Sequence, residues 1–257
     1  MPNEYIDTYS VPIVVVAIEG PSDGTYLIDP LEAYFRDKYG SVCRLVKIKD
    51  VTGDPNVDTK TFIKDLSLRI ESELSNSENK IDANVAVMIR EIVHVFDIDE
   101  AFIDDSLIIE DLSHDEFFYT REGIRFNSVN SVKQRNARKA ERIRELIGIN
   151  SITVFDISFP YRAYYFSINI DDFHNENALN ISDDEKSRLA AVYRRKYIVK
   201  KSEKGKVKMF LKLFKDTNPE DYPNDYYTTW NYVQINNNSL KKCSNAFLII
   251  DPNYIKQ

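Results

Sequence analysis

The chain has 257 residues, 43% of them hydrophobic, and a formal net charge of −7. That is enough for one large domain or two modest ones and excludes a disordered tail protein, while the negative balance excludes a protein that coats nucleic acid indiscriminately, because phosphate is repelled except where bases gather locally. The polar opening lacks the basic start and apolar core of a secretory signal, no later apolar run reaches a membrane span, and Cys43 and Cys243 belong to no CxxC or Cys/His cluster, so a cytoplasmic protein with neither zinc site nor disulfide framework is expected.

Residues 12–18 (PIVVVAI) are apolar at consecutive positions and largely β-branched, the pattern of a strand buried on both faces of a parallel sheet. The strand stops at the turn-forming run Glu19-Gly20-Pro21-Ser22-Asp23-Gly24. Leu27, Ile28, Leu31, Tyr34 and Phe35 then recur at three- and four-residue spacing and predict a helix over 25–39, closed by Gly40, with Pro30 marking its first turn. A second strand is expected over 42–48, a Gly/Pro loop over 50–58, a helix over 59–74 and an exposed link over 75–80. The apolar stretch 83–96 ends in a buried strand that runs into Asp97-Ile98-Asp99-Glu100. The first hundred residues therefore follow the order β-α-β-α-β, that of an α/β fold whose mostly parallel sheet is flanked by helices.

Beyond Glu100 an acidic stretch reaches Glu116, a hairpin is expected over 117–126 with its turn at Glu122-Gly123, and a basic helix over 132–147; together they form an insert at about 101–150. Residues 151–157 (SITVFDI) predict a fourth strand, broken by Pro160. From Tyr161 the composition turns to Tyr, Asn and Lys, with helices expected over 183–197 and 207–214. This change puts a boundary near residue 160, between an α/β domain over 1–160 and a mainly helical, basic and aromatic extension over 161–257.

In an open parallel sheet functional groups gather at the carboxyl ends of the strands, where Glu19 and the Asp97/Asp99 pair fall. With one residue between them, Asp97 and Asp99 can point to one side as the strand runs out, while Ile98 turns into the core. Paired hard oxygen ligands suit Mg²⁺ or Mn²⁺ and repel a lone phosphate unless a cation intervenes. The plain alternative makes Glu19 a turn carboxylate capping the next helix and Asp97 and Asp99 a solvated strand end.

Glu19-Gly20 after one strand, with Asp23 nearby, and Asp97-Ile98-Asp99 after another resemble the two signatures of the Toprim family, which takes in topoisomerases, primases, small ribosomal-RNA maturases and OLD-type nucleases. The resemblance covers roughly residues 11–157. It implies a Rossmann-like Toprim sheet, Mg²⁺ or Mn²⁺ as cofactor, and phosphodiester chemistry. In that chemistry Asp97 and Asp99 hold metal, Glu19 ligates a second ion or helps deprotonate the attacking water, and Asp23 supports the metal from further out. A narrower similarity is to the RloB-like and abortive-infection Toprim proteins of bacterial anti-phage loci, including the AbiL second component and the PARIS nuclease. It rests on Ser158-Phe159-Pro160 leading into Tyr164-Tyr165-Phe166 and on the closing Ser239-Leu240 and Ser244-Asn245. Arg162 and Ala163 stand where that group has a glutamate, so either Asp171 or Asp172 substitutes for it or the contact is absent. The similarity implies an abortive-infection effector: a metal-dependent nuclease acting on RNA, tRNA included, or on DNA, and controlled by a partner ATPase. No Walker-type GxxxxGK[ST] occurs, so nucleotide hydrolysis falls to that partner. The alternatives are a catalytically inactive Toprim module that binds nucleic acid or a partner protein, and phosphoryl transfer on a small nucleotide.

Lys133, Arg135, Arg138, Lys139 and Arg142 recur along the basic helix, several on one face where a phosphate backbone can lie; a solvated helix with Glu141 and Glu145 in intrahelical pairs is the plain reading. A second basic group opens with Arg194, Arg195, Lys196, Lys200 and Lys201, interleaved with Tyr193 and Tyr197, a mixture that can grip single strands by charge and stacking. Periodicity assigns Phe210, Leu213 and Phe214 to the core first. His94 fits a packed core histidine, whereas His174, beside Asp171 and Asp172, is either an accessory acid or metal ligand or part of a loop and helix cap. Trp230 with Tyr226, Tyr227 and Tyr232 fits an aromatic satellite core. The expected partners are nucleic acid and an ATPase, with a second copy of the chain left open and no membrane.

Overall fold

A computed structural model describes residues 11–41, 43–49, 57–76, 88–175, 178–251 and 253–254. Most of the loop expected over 50–58, most of the link over 75–80 and the start of the stretch 83–96 lie outside them. In chain order come β1 (Ile13–Ile18), α1 (Pro21–Tyr39), β2 (Arg44–Lys49), α2 (Thr59–Asn76) and β3 (Ile89–Asp97). An insert of short strands follows, β4 (Ile108–Glu110), β5 (Phe118–Thr120) and β6 (Gly123–Phe126), and then α3 (Val129–Ile147). The rest is β7 (Ser151–Val154), β8 (Ile157–Phe166), α4 (Ile170–His174), α5 (Asp183–Tyr193), α6 (Glu203–Thr217) and α7 (Tyr226–Val233).

The protein is α/β, with a mostly parallel sheet flanked by helices and a helical C-terminal region. Every residue of β1 is buried, so the strand needs neighbours on both edges and cover on both faces; it pairs in parallel with β2 and β3. The sheet order is β2-β1-β3-β8-β7, with β8 parallel to β3 and β7 antiparallel to β8. α1 packs against the C-terminal helices α5 and α6, and α2 packs against β7 and α3. One core joins β1, β3 and β8 to Leu27 and Phe35 of α1, Leu66 and Ile70 of α2, Phe214 of α6 and Trp230 of α7. Phe210 and Phe214 are buried as their periodicity implied, with Leu213 partly buried, whereas Trp230 joins this main core rather than a satellite and Tyr227 is exposed. No helix among the described residues is long and apolar enough to cross a membrane.

Two prolines behave differently from the sequence expectation. Helix α1 begins at Pro21 rather than near Pro30, because the Asp23 carboxylate accepts the Gly20 N–H at the helix start and Pro21 fits the first helical turn, where its missing N–H costs nothing. Pro30 sits inside the helix, where it costs about 3 kcal/mol; burial of Leu27, Leu31 and Phe35 around it offsets that loss. Pro160 does not break a strand either. The fourth parallel strand is β8, which runs through Pro160, and residues 151–154 form its antiparallel neighbour. The Tyr161 N–H donates to Asn150 O at 2.9 Å, which makes the preceding Pro160–Ser151 pair one without hydrogen bonds, and the register with β3 starts only at Tyr161. The absent N–H of Pro160 therefore leaves no ladder bond unmade. β8 thus crosses the position where composition suggested a boundary, and residues on either side of it share the same core.

The insert carries its own sheet, β4-β6-β5, over a small cluster of Ile103, Ile108, Ile124 and Val132. Its hairpin turns at Gly123, whose φ is +139° and whose Cβ, if present, would lie 2.0 Å from Leu107 O. Only glycine fits there. Gly123→Ala should lower the melting temperature by about 5–10 °C in a thermal scan; a melt identical to wild type would show that the hairpin is not packed against residue 107.

Candidate active site

Three neighbouring parallel strands deliver carboxylates to one end of the sheet. β1 runs into Glu19 and, one helical turn on, Asp23; β3 ends on Asp97 with Asp99 beyond it; β8 leads into α4 with Asp171 and Asp172. The β1–β3 register pairs Ile18 with Val95, so Glu19 falls beside the end of β3, and the Asp97 N–H donates to Glu19 Oε2 at 2.9 Å. Glu19 is therefore held against the later aspartates rather than on an opposite rim.

Crowding of these groups sets their protonation. Burial, followed by repulsion from Asp23, Glu19 and Asp99, raises the Asp97 carboxyl well above the usual carboxylate range. Its Oδ1 is sealed from solvent and has no hydrogen-bond partner. Asp23 accepts the Gly20 N–H at 2.8 Å as the helix cap, yet burial, with Glu19 and Asp171 adding to it, pushes it up to about 7. The Ser22 hydroxyl lies 3.4 Å from both Asp23 Oδ1 and Asp171 Oδ2 and links carboxylates about 150 residues apart. Asp171 is buried, which raises its carboxyl as well, against the opposing pull of the neighbouring Tyr26 and Ser22 hydroxyls.

Asp99 has a different environment. It and Glu100 both adopt left-handed backbone angles, φ 51° and 57°, a strained turn for two residues with side chains that costs about 1 kcal/mol or more each. The turn is held by α3: Arg135 Nη1 donates to Asp99 O at 2.9 Å and Asn136 Nδ2 to Glu100 O at 3.5 Å. The Asp99 carboxylate in turn pairs with Lys139 and, at 2.9 Å, with Arg135. Burial pushes Asp99 up, but Lys139 and Arg135 outweigh it and hold the group below the usual value. Ile98 is buried as expected, while Asp97 faces carboxylates and Asp99 faces cations. Behind the turn Glu100 is fully buried with neither oxygen partnered, and burial pushes it up to about 9.

Between these strand ends and α3 lies a cleft of about 220 Å³ lined by Glu19, Asp99, Arg135, Lys139 and Arg142, with Phe62 and Phe117 among its apolar walls. The spacing 135, 139, 142 puts these bases on one face of α3, while Val132, Asn136, Ala140 and Ile143 face inward. Arg142 also donates to Val57 O at 2.5 Å and lies over the Phe62 ring. Lys133 pairs with Asp105, and Arg138 donates to Gln134. The second basic group lies elsewhere. Arg194 pairs with Asp29 at 2.6 Å and, with Arg195 and Lys47, borders a separate depression, Lys196 lies over the Tyr197 ring, and Lys200 and Lys201 are exposed.

Of the accessory candidates, Asp171 joins the carboxylates and the other two take other partners. Asp172 is fully buried, and a single Arg121 nitrogen, Nη2, lies 2.6 Å from each of its oxygens. His174 stacks on Tyr26 with ring centroids 3.8 Å apart, and burial lowers it to about 3, so it remains neutral. His94 is the packed core histidine expected, its Nδ1 2.7 Å from the Tyr161 hydroxyl. Sequence reasoning missed Ser22, Glu100, Arg121 and Asn136. Only Ser22 carried a signal, its place beside Glu19 in the first turn.

Among the described residues no three His, Cys, Asp or Glu side chains already stand in metal-ligating geometry. The donor chemistry nevertheless fits a hard divalent cation. Asp97 Oδ1 is buried and unpartnered, and carboxylates crowded enough to retain protons are what such a cation relieves. No protein-family model, curated protein or solved structure matches the chain.

Proposed function

We propose that the chain is a divalent-metal-dependent nuclease of the Toprim type, hydrolysing phosphodiesters of RNA, tRNA included, or of DNA. The observation that carries this reading is that Glu19, crowded against Asp97 and the buried Asp23, opens together with Asp99 onto a cleft faced by Arg135, Lys139 and Arg142 of α3. Asp97, Glu19 and Asp23 would hold Mg²⁺ or Mn²⁺, with Asp171 reached through Ser22. Bound there, the cation would polarise the phosphoryl group and acidify water. Arg135, Lys139 and Arg142 meet the phosphate oxygens. Because Asp99 and the substrate phosphate compete for Lys139 and Arg135, a bound phosphodiester draws these bases to itself and frees the Asp99 carboxylate to turn toward Asp97. The cellular setting proposed with it, an anti-phage abortive-infection effector under a partner ATPase, rests on the similarity of residues 158–166 and 239–245 to the RloB-like group.

The second reading is an inactive Toprim module that binds nucleic acid or a partner protein; the occupation of Asp99 by two cations favours it. Incubating the purified chain with end-labelled RNA, tRNA and DNA in Mg²⁺ or Mn²⁺, beside Glu19→Ala and Asp97→Ala, separates the two. The nuclease reading expects cation-dependent cleavage that falls about 10³-fold or more in both variants. Cleavage that survives either substitution eliminates the site, and no cleavage of any substrate supports the binding module.

A further inference from the structure

A second groove, about 1120 Å³, opens between the insert hairpin and residues 179–186. The Asn180 side chain ties its walls together, accepting the Tyr119 N–H and donating to Tyr119 O, both at 2.8 Å. The groove is aromatic: Phe117, Phe118 and Tyr119 line it, and His114 stacks on Phe118 with centroids 4.3 Å apart. It also adjoins the candidate active site. Phe117 lines both cavities, and the Arg135 guanidinium lies 4.9 Å from the Phe117 ring centre while donating to the Tyr119 hydroxyl at 2.9 Å. The residue placed to meet the phosphate therefore rests on the wall between cleft and groove.

Charge decides what can enter. Asp115, Glu116 and Asp183 border the groove, against Lys186, which is itself paired with Asp183 at 3.4 Å. A second phosphate is repelled there, whereas a flat uncharged ring gains stacking area, and carboxylates accept hydrogen bonds from base amino groups. We propose that the groove is a nucleobase subsite that takes an unpaired base flanking the phosphate held at Arg135 and Lys139, which makes single-stranded nucleic acid the substrate class. This rests on the nuclease reading for the phosphate's position. A base inside a duplex has both faces covered and cannot enter without leaving the stack.

The test is fluorescence anisotropy with the full chain, Ca²⁺ replacing Mg²⁺, on labelled single strands of RNA and DNA, the matching duplexes, and single strands with abasic positions. The intact single strand should bind more tightly than the duplex or the abasic strand. Phe118→Leu, which stays apolar but removes the ring, and His114→Ala should each weaken binding of the intact strand by about 5- to 150-fold and leave the abasic strand unaffected. Folding of both variants is checked by circular dichroism; wild-type affinity in both folded variants, or equal binding of duplex and single strand, overturns the subsite. Failure of the two readings is separable. Base-dependent binding by a chain that cleaves nothing in Mg²⁺ or Mn²⁺ upholds the subsite and removes the nuclease. Cleavage that needs Asp97 but ignores both Phe118→Leu and base removal does the reverse.

Discussion

Asp97→Asn should stabilise the metal-free protein at pH 8 while abolishing cation-dependent cleavage. Asp97, raised by burial and by its neighbouring carboxylates, keeps its proton in the folded chain at pH values where the unfolded chain has released it, and so does Asp23, raised to about 7. With folded-state values above the unfolded ones, the unfolded chain binds fewer protons, so stability is full below about pH 4 and falls as pH rises through about 7 for Asp23 and higher for Glu100, raised to about 9. Removing one charge from this group should restore roughly 1–3 kcal/mol at pH 8, or about 2–10 °C in melting temperature, and little near pH 4. Mg²⁺ should raise the melting temperature of the wild type at pH 8 and not that of the variant. Differential scanning fluorimetry at the two pH values checks this; a variant that melts below wild type at pH 8 without metal would mean that the Asp97 carboxylate is stabilising and not in conflict with its surroundings.

The opposite result is expected on the other side of the strained turn. Arg121, at the tip of the insert hairpin, holds the fully buried Asp172 through two hydrogen bonds of 2.6 Å and also donates to Leu240 O at 3.2 Å. Lys242, 3.9 Å away, is the other cation on Asp172. Arg121→Met leaves a buried charge undercompensated and should cost about 3–5 kcal/mol, a fall of roughly 6–20 °C in melting temperature. Adding Asp172→Asn should recover much of it, because the lost energy lies in the unpaired charge rather than in the pair. If the single variant melts like wild type, the hairpin is not fastened to α4 in this way.

What the sequence made legible was the part fixed by local pattern. Six consecutive, mostly β-branched apolar residues fitted a central strand, and Glu19 and Asp97 followed as strand-end residues that the β1–β3 register brings together. The basic helix was visible from its spacing, but a solvated face fitted that spacing equally well, and only the packed structure turns Arg135, Lys139 and Arg142 toward the cleft. The misreadings came from treating proline as a local signal: Pro30 is tolerated because tertiary burial surrounds it, and Pro160 because of its place in the register. Partners were less visible still. Asp97 and Asp99 look equivalent in sequence, and only the left-handed turn at residues 99 and 100 gives one to carboxylates and the other to Lys139 and Arg135. Asp171 meets Asp23 through Ser22 because β8 lies next to β3, an adjacency that no spacing encodes.

Anomalous diffraction from crystals soaked in Mn²⁺ shows whether Asp97 ligates a divalent cation. The expected result is a peak in direct coordination with Asp97 Oδ1, at about 2.0–2.2 Å, sharing Glu19 or Asp23 as a further oxygen ligand and missing from Asp97→Asn crystals. A saturating soak that leaves Asp97 Oδ1 bare and places Mn²⁺ elsewhere would contradict it.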